Sequence, residues 1–153
     1  MKKAYTILAF LIALEVMIQA AAIAWAVFGL KSWIDDGHQY TKGAAEFDDG
    51  GWDFTSERGF WIHSLNGFMI IALIALILLV VSFFAKIPGG VKWASILFVL
   101  VIIQGHVLPG LSSEFGSGFG ALHGLNAMII LGMAISAGVR VKRVTASEVP
   151  AAA

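Results

Sequence analysis

The stretch "GFWIHSLNGFMIIALIALILLVVSFFA" (residues 59–85) is apolar over almost its whole length and carries no charged side chain. A helix needs about 20 such residues to cross the roughly 30 Å of hydrocarbon in a bilayer. Inside lipid, the backbone must form its hydrogen bonds within its own segment, so this stretch predicts a membrane-spanning helix rather than a strand. Three further apolar stretches predict three more helices, over about 5–30, 93–111 and 118–139.

The composition agrees with a membrane protein. The chain has 153 residues, of which 59% are hydrophobic and 13% are charged, about half the charged share of an ordinary soluble protein. The formal net charge is zero, so nothing favours nucleic acid as a partner. Cysteine is absent, which excludes disulfides, thiolate metal sites and iron–sulfur clusters. The sequence predicts an all-α, polytopic four-helix bundle over residues 1–143, with membrane lipid around it.

The basic residues predict the orientation of the bundle. Cytoplasmic loops carry an excess of lysine and arginine. Both termini should therefore be cytoplasmic, with the acidic loop 31–58 outside and a disordered tail over 144–153. This topology is typical of a multi-pass protein of a bacterial or archaeal cytoplasmic membrane. Seven basic residues lie on the predicted inner side: Lys2, Lys3, Lys86, Lys92, Arg140, Lys142 and Arg143. Three lie on the outer side: Lys31, Lys42 and Arg58.

One short phrase occurs twice in the chain. "HSLNG" begins at His63 and "HGLNA" begins at His123, an offset of 60 residues. The phrases fall on the second and fourth helices, which run in the same direction, so the bundle looks like two helical hairpins. Each histidine follows the start of its helix by four or five residues, which places both roughly 6–8 Å below the outer boundary.

Two imidazoles at one depth on two helices are what a b-type haem requires, because one histidine binds the iron from each face. Neighbouring helix axes lie about 8–10 Å apart, so a diagonal pair is separated by roughly 11–14 Å. That leaves space for a porphyrin if the lining residues are small. The candidate set comprises the iron ligands His63 and His123, the orienting amides Asn66 and Asn126, the small lining residues Gly67 and Gly124, Arg58 for the haem carboxylates, and His106 as a further cofactor contact.

Two other interpretations stay open. Polar residues in membrane helices often serve only as hydrogen bonds between helices, which would make the protein a cofactor-free accessory or structural subunit. Alternatively, His63, His106 and His123 could hold a zinc or copper ion in a metal-binding or transport protein. Glu15 lies near the predicted bilayer centre, where a charged side chain costs free energy. It is either a proton relay or quinol contact, or a neutral carboxyl bonded to Gln19 or to a neighbouring helix.

The stretch "IIQGHVLPGLSSEFGSGFGALHGLNAMIILGM" (residues 102–133) resembles the third and fourth helices of one half of the haem A synthase family. In that family the second and fourth helices of each half ligate haem near the outer side, which implies the same role for His63 and His123. The synthase half also carries a glutamate one turn before its first histidine, where this chain has Phe60. The resemblance therefore implies haem binding without oxidation of a haem methyl group. The chain is also similar to small uncharacterised four-helix bacterial membrane proteins.

The function expected from these patterns is one-electron transfer or haem handling with haem b as the cofactor, rather than that of an autonomous enzyme. A bis-histidine iron has no free axial position for oxygen. A single haem at one depth implies a partner, either membrane quinol or an electron-transfer protein that docks on the acidic outer loop. A homo-oligomer or a larger membrane complex would serve the same purpose.

Overall fold

The structure, a computed structural model, describes residues 1–39 and 52–147, with side chains described as far as residue 141. It contains four long helices and, within these ranges, no strand. We label them α1 (Lys2–Asp35), α2 (Thr55–Ala85), α3 (Gly90–Phe115) and α4 (Gly118–Ser147). Each predicted span lies inside one of them, and all four are long and apolar enough to cross a membrane.

The helices extend beyond the predicted apolar spans. α1 continues to Asp35, where the Lys31 ammonium forms an i,i+4 ion pair with the Asp35 carboxylate. α4 continues to Ser147, past the point at which a disordered tail was predicted. Hydropathy marks only the apolar part of a helix, whereas the backbone ladder continues until a residue interrupts it. Residues 40–51 of the predicted acidic loop and residues 148–153 of the predicted tail lie outside the described residues.

Each helix packs against two others. α1 contacts α2 and α4, and α3 likewise contacts α2 and α4. The remaining pairs, α1 with α3 and α2 with α4, therefore face each other across the bundle. The two histidine-bearing helices form one of these diagonal pairs. Within the repeated phrases, Asn66 and Asn126 are buried and His63 and His123 are partly buried.

The packed core occupies the half of the bundle at which α1 begins. The Tyr5 hydroxyl donates a hydrogen bond to the carbonyl of Gly90 at 3.2 Å, which joins the start of α1 to the start of α3. Close packing in this half holds the four helices together and leaves the other half open for a site. The largest fully buried side chains are Tyr5, Ile12, Leu78, Leu97 and Ile130.

The outside of the bundle is apolar. Phe83 and Phe84 on α2 are 63% and 65% exposed, and Phe28 on α1 is 73% exposed. Monomeric soluble proteins rarely leave so much contiguous apolar surface uncovered. The exposed surface is thus suited to lipid, in agreement with four membrane-spanning helices.

The contact between α1 and α2 requires a glycine at position 59. A Cβ atom there would lie 2.5 Å from the carbonyl oxygen of Ala22 and 2.9 Å from the Cβ of Ala26. Small residues at such contacts let membrane helices approach closely. We expect Gly59→Ala to destabilise the bundle by about 1–3 kcal/mol, the usual range for overpacking, seen as a lower melting temperature in detergent. Gly132→Ala is the matched control, because nothing lies within 4 Å of its Cβ position; an equal loss there would contradict the argument.

Candidate functional site

The two repeated histidines meet inside the bundle. His63 on α2 and His123 on α4 are both partly buried. Their ring centroids are 6.0 Å apart and their planes are inclined by 54°. The structure therefore brings together the two residues that the 60-residue repeat singled out, at one level on diagonal helices.

The two imidazoles differ in their hydrogen bonds to the protein. The Nδ1 atom of His63 lies 3.2 Å from the backbone carbonyl oxygen of Gln19. A carbonyl only accepts, so in the neutral ring Nδ1 carries the proton and Nε2 keeps its lone pair. The Nδ1 atom of His123 is buried and has no hydrogen-bond partner. Metal-binding histidines commonly have the arrangement of His63, with one nitrogen fixed by a backbone carbonyl and the other free.

A turn of π-helix interrupts both α2 and α3 beside the histidines. The widened turns cover Asn66–Ile70 and Ile103–Val107. Pro109 explains the second, because its ring would otherwise collide with the carbonyl four residues earlier, that of Gly105. The turns lie against each other, and a Cβ atom on Gly105 would be 3.4 Å from the carbonyl oxygen of Gly67.

A side-chain amide from a neighbouring helix supports each π-turn. The Nε2 atom of Gln19 donates to the carbonyl of His63 at 2.9 Å, and the Nδ2 atom of Asn126 donates to the carbonyl of Leu100 at 3.0 Å. Each carbonyl belongs to the residue three before the first residue of a π-turn. The backbone N–H of that first residue is shared between this carbonyl and the one before it. In lipid a poorly bonded carbonyl is costly, so these amides stabilise the irregular backbone.

In each half of the bundle, a glutamine side chain donates a hydrogen bond to the backbone carbonyl of the repeated histidine. Gln104 on α3 donates to the carbonyl of His123 at 3.0 Å, as Gln19 on α1 does to that of His63. Neither glutamine was among the residues predicted for the site. The signals for them were that each interrupts an apolar helix beside a histidine helix, that Gln19 is a possible partner of Glu15, and that Gln104 lies in the stretch that resembles haem A synthases.

The two asparagines bond to neighbouring helices. The Nδ2 atom of Asn66 donates to the Glu15 carboxylate at 2.9 Å, and that of Asn126 donates also to the Oε1 atom of Gln104 at 2.8 Å. Both asparagines are buried. Their amides thus connect α2 to α1 and α4 to α3, one turn away from the imidazoles.

Two cavities lie on either side of the histidine pair. One, of about 180 Å³, is enclosed by all four helices and is lined mainly by apolar atoms. The other, of about 590 Å³, reaches toward the end of α3 and the start of α4, where Ser64, Ser112 and Ser113 line it. Both cavities are bounded by the same four residues: His63, Gly67, Gly105 and His123.

The glycines near the histidines have different roles. A Cβ atom on Gly67 would lie 2.8 Å from the Nε2 atom of Gln19, so this glycine leaves room for the amide that bonds to His63. Gly124 lines the smaller cavity, and nothing lies within 4 Å of its Cβ position. Gly67 therefore serves the hydrogen-bond network, and Gly124 leaves open space.

Four predicted site residues line neither cavity: Asn66, Asn126, Arg58 and His106. Arg58 is exposed, with its guanidinium carbon 5.8 Å from the centre of the Trp52 ring. His106 is exposed and lies against Phe68, with ring centroids 4.3 Å apart. His106 does not line either cavity. In the part of the chain that the structure describes, no group of three histidine or acidic side chains is placed to hold a metal ion.

Comparison of the chain with protein-family models, with curated proteins and with solved structures gives no match.

Proposed function

We propose that this protein is a membrane b-type haem protein in which His63 and His123 are the two axial ligands. The observation that carries the proposal is their separation. An imidazole nitrogen binds a transition metal at about 2.0 Å, so two rings on opposite sides of one metal have centroids about 6 Å apart. In the structure the centroids are 6.0 Å apart.

The residues around the pair fit a flat macrocycle. A plane that passes between the two rings would extend into the cavities on either side of them, which share His63 and His123 as walls. Gly124 lines the smaller cavity and adds no side chain to this space, since nothing lies within 4 Å of its Cβ position. Ligand sites of several hundred Å³ with mostly apolar walls and a few polar groups are typical of bound cofactors.

The polar groups have separate tasks in this proposal. The carbonyl of Gln19 would hold the proton on Nδ1 of His63 and leave Nε2 as the ligand atom. The hydroxyls of Ser64 and Ser112 line the larger cavity and would donate hydrogen bonds to the haem carboxylates, a task that the sequence assigned to Arg58. When bound, haem would supply a one-electron Fe(III)/Fe(II) couple with both axial positions filled. The expected role is electron transfer or haem handling.

The proposal also covers how the helices pair and which way the chain is oriented in the membrane. We infer that the chain consists of two helical hairpins with both termini cytoplasmic, since seven of the ten basic residues then lie on the inner side. The histidines would lie near the outer face of a bacterial or archaeal cytoplasmic membrane. The electron partner would be membrane quinol, a protein that docks on the outer acidic loop, or a second copy of the chain. The resemblance of residues 102–133 to haem A synthases supports haem binding, and Phe60 argues against their oxidation chemistry.

A cofactor-free accessory subunit is the second candidate. The four interior amides favour it, because each donates a hydrogen bond to another helix, as helix-packing residues do. The cavities argue against it, since a bundle held only by packing has no reason to leave a gap beside two imidazoles. A three-histidine metal site has less support, because His106 faces Phe68.

The absorption spectrum of the detergent-purified protein separates these functions. We expect a red protein with a sharp α band after reduction by dithionite, as for low-spin bis-histidine haem. A colourless protein purified from haem-replete cells would refute the proposal and favour the accessory subunit. Bound zinc or copper without a haem band, detected by elemental analysis, would favour the metal-binding function.

A further inference from the structure

A cleft of about 680 Å³ lies between α3 and α4 at the opposite end of the bundle from the histidines, beside the turn that joins α2 to α3. Two cationic side chains, Lys92 and Arg140, line it, and both are exposed. No acidic side chain is among its lining residues. The cleft therefore combines two positive charges with an open volume and has no anionic group of its own among the described residues.

The Arg140 side chain has a defined position in this cleft. Its guanidinium carbon lies 5.5 Å from the centre of the Trp93 ring, a distance at which the cation is attracted to the face of the indole. Gly89 lies beside the pair: a Cβ atom there would be in ordinary contact, 3.7 Å from the Nη1 atom of Arg140 and 3.8 Å from Trp93, and the φ of 72° is what favours glycine at this turn. A guanidinium stacked by its face keeps its N–H groups available at the edge, where they can bind a phosphate.

The deeper wall of the cleft is apolar. Ile96 and Met133 line it, and Ile96 is 41% exposed. The cleft thus has cations at the end of the membrane-spanning helices and apolar surface about one turn further along α3 and about two turns further along α4. A free inorganic anion would use only the first of these features. A phospholipid would use both.

We propose that this cleft binds an anionic phospholipid. Arg140 and Lys92 hold the phosphate, and an acyl chain lies along Ile96 and Met133. Trp93 lies at the level of the headgroups, where tryptophan is enriched in membrane proteins. Basic pockets between membrane helices are known to recognise anionic lipid headgroups. The inference does not depend on haem binding, since the cleft and the histidine cavities share no residue.

Native mass spectrometry of the full chain in detergent tests the assignment, with phosphatidylglycerol and phosphatidylcholine of identical acyl chains as probes. We expect the wild type to bind phosphatidylglycerol at least about tenfold more tightly, because each cation near a headgroup contributes severalfold. The double variant Lys92→Gln/Arg140→Gln should lose that preference. Both residues are exposed, so folding should survive, and the single variant Lys92→Gln should lose part of the preference if the double variant does not purify.

The matched control removes two cations from the same end of the bundle but outside the cleft: Lys3→Gln/Lys86→Gln. We expect this variant to retain the preference for phosphatidylglycerol within about twofold. An equal loss in the control would mean that general positive charge attracts the lipid, and would overturn the proposal. Displacement of the lipid by inorganic phosphate as efficiently as by a second phosphatidylglycerol would identify the ligand as free phosphate, and would also overturn it.

Discussion

Alanine at either His63 or His123 is expected to abolish the reduced α band of the purified protein, while alanine at His106 leaves it unchanged. The first two rings face each other at 6.0 Å across the gap between the cavities, and neither can replace the other as a ligand from the opposite side. The third ring lies on Phe68 and outside both cavities. The low-spin spectrum requires two strong-field nitrogens, so each single replacement should remove it completely.

The three variants form a matched set, because each removes one imidazole from a membrane-spanning helix. Spectra of the oxidised and reduced proteins would be recorded with haem content determined chemically, and circular dichroism would show whether the helices are retained. Retention of the α band in either His63→Ala or His123→Ala would contradict bis-histidine ligation by this pair. Loss of the band in His106→Ala with the fold intact would mean that the ligands had been assigned wrongly.

The sequence predicted the helices more securely than the surroundings of the histidines. Four apolar stretches are sufficient for four spans, since the requirement for internal backbone hydrogen bonds leaves no other structure in lipid. The equal depth of His63 and His123 followed from counting residues along two parallel helices. Which way a side chain faces is harder to predict, because each residue turns the helix by about 100°. His106 lies at a suitable depth on α3, yet it faces Phe68 rather than the cavities.

The hydrogen-bond network was beyond prediction for a different reason. A π-turn depends on partners that are distant in sequence, such as the Gln19 amide that reaches the carbonyl of His63 over 44 positions. From the sequence, Gly67 was predicted to be a small residue that lines a cofactor site. In the structure it lies against the side-chain amide of Gln19. For Glu15 the sequence left open a proton relay or quinol contact and a bond to Gln19 or a neighbouring helix; in the structure it accepts a hydrogen bond from Asn66 on α2. Such roles are fixed by how the helices rotate against each other.

The second large effect is expected for Gly124→Leu. Gly124 lines the smaller cavity, and nothing lies within 4 Å of its Cβ position, so the protein itself has room for a larger side chain there. If haem occupies the space, a leucine would collide with it and lower its affinity by roughly tenfold or more, the equivalent of about 1–3 kcal/mol of overpacking. Haem content per chain, measured after purification and after reconstitution with excess haem, should fall accordingly.

The same substitution has the opposite consequence if the protein holds no cofactor. A leucine would then fill an empty apolar cavity and replace a glycine inside a helix, and both changes usually stabilise a protein. Gly132→Leu is the control, because Gly132 lies on the same helix with nothing within 4 Å and lines neither cavity. A raised melting temperature for Gly124→Leu, without any change in the spectrum relative to Gly132→Leu, would show that the gap beside His123 is not a haem site. Loss of haem from Gly124→Leu alone, with the helices retained, would place the macrocycle in the cavity beside His123.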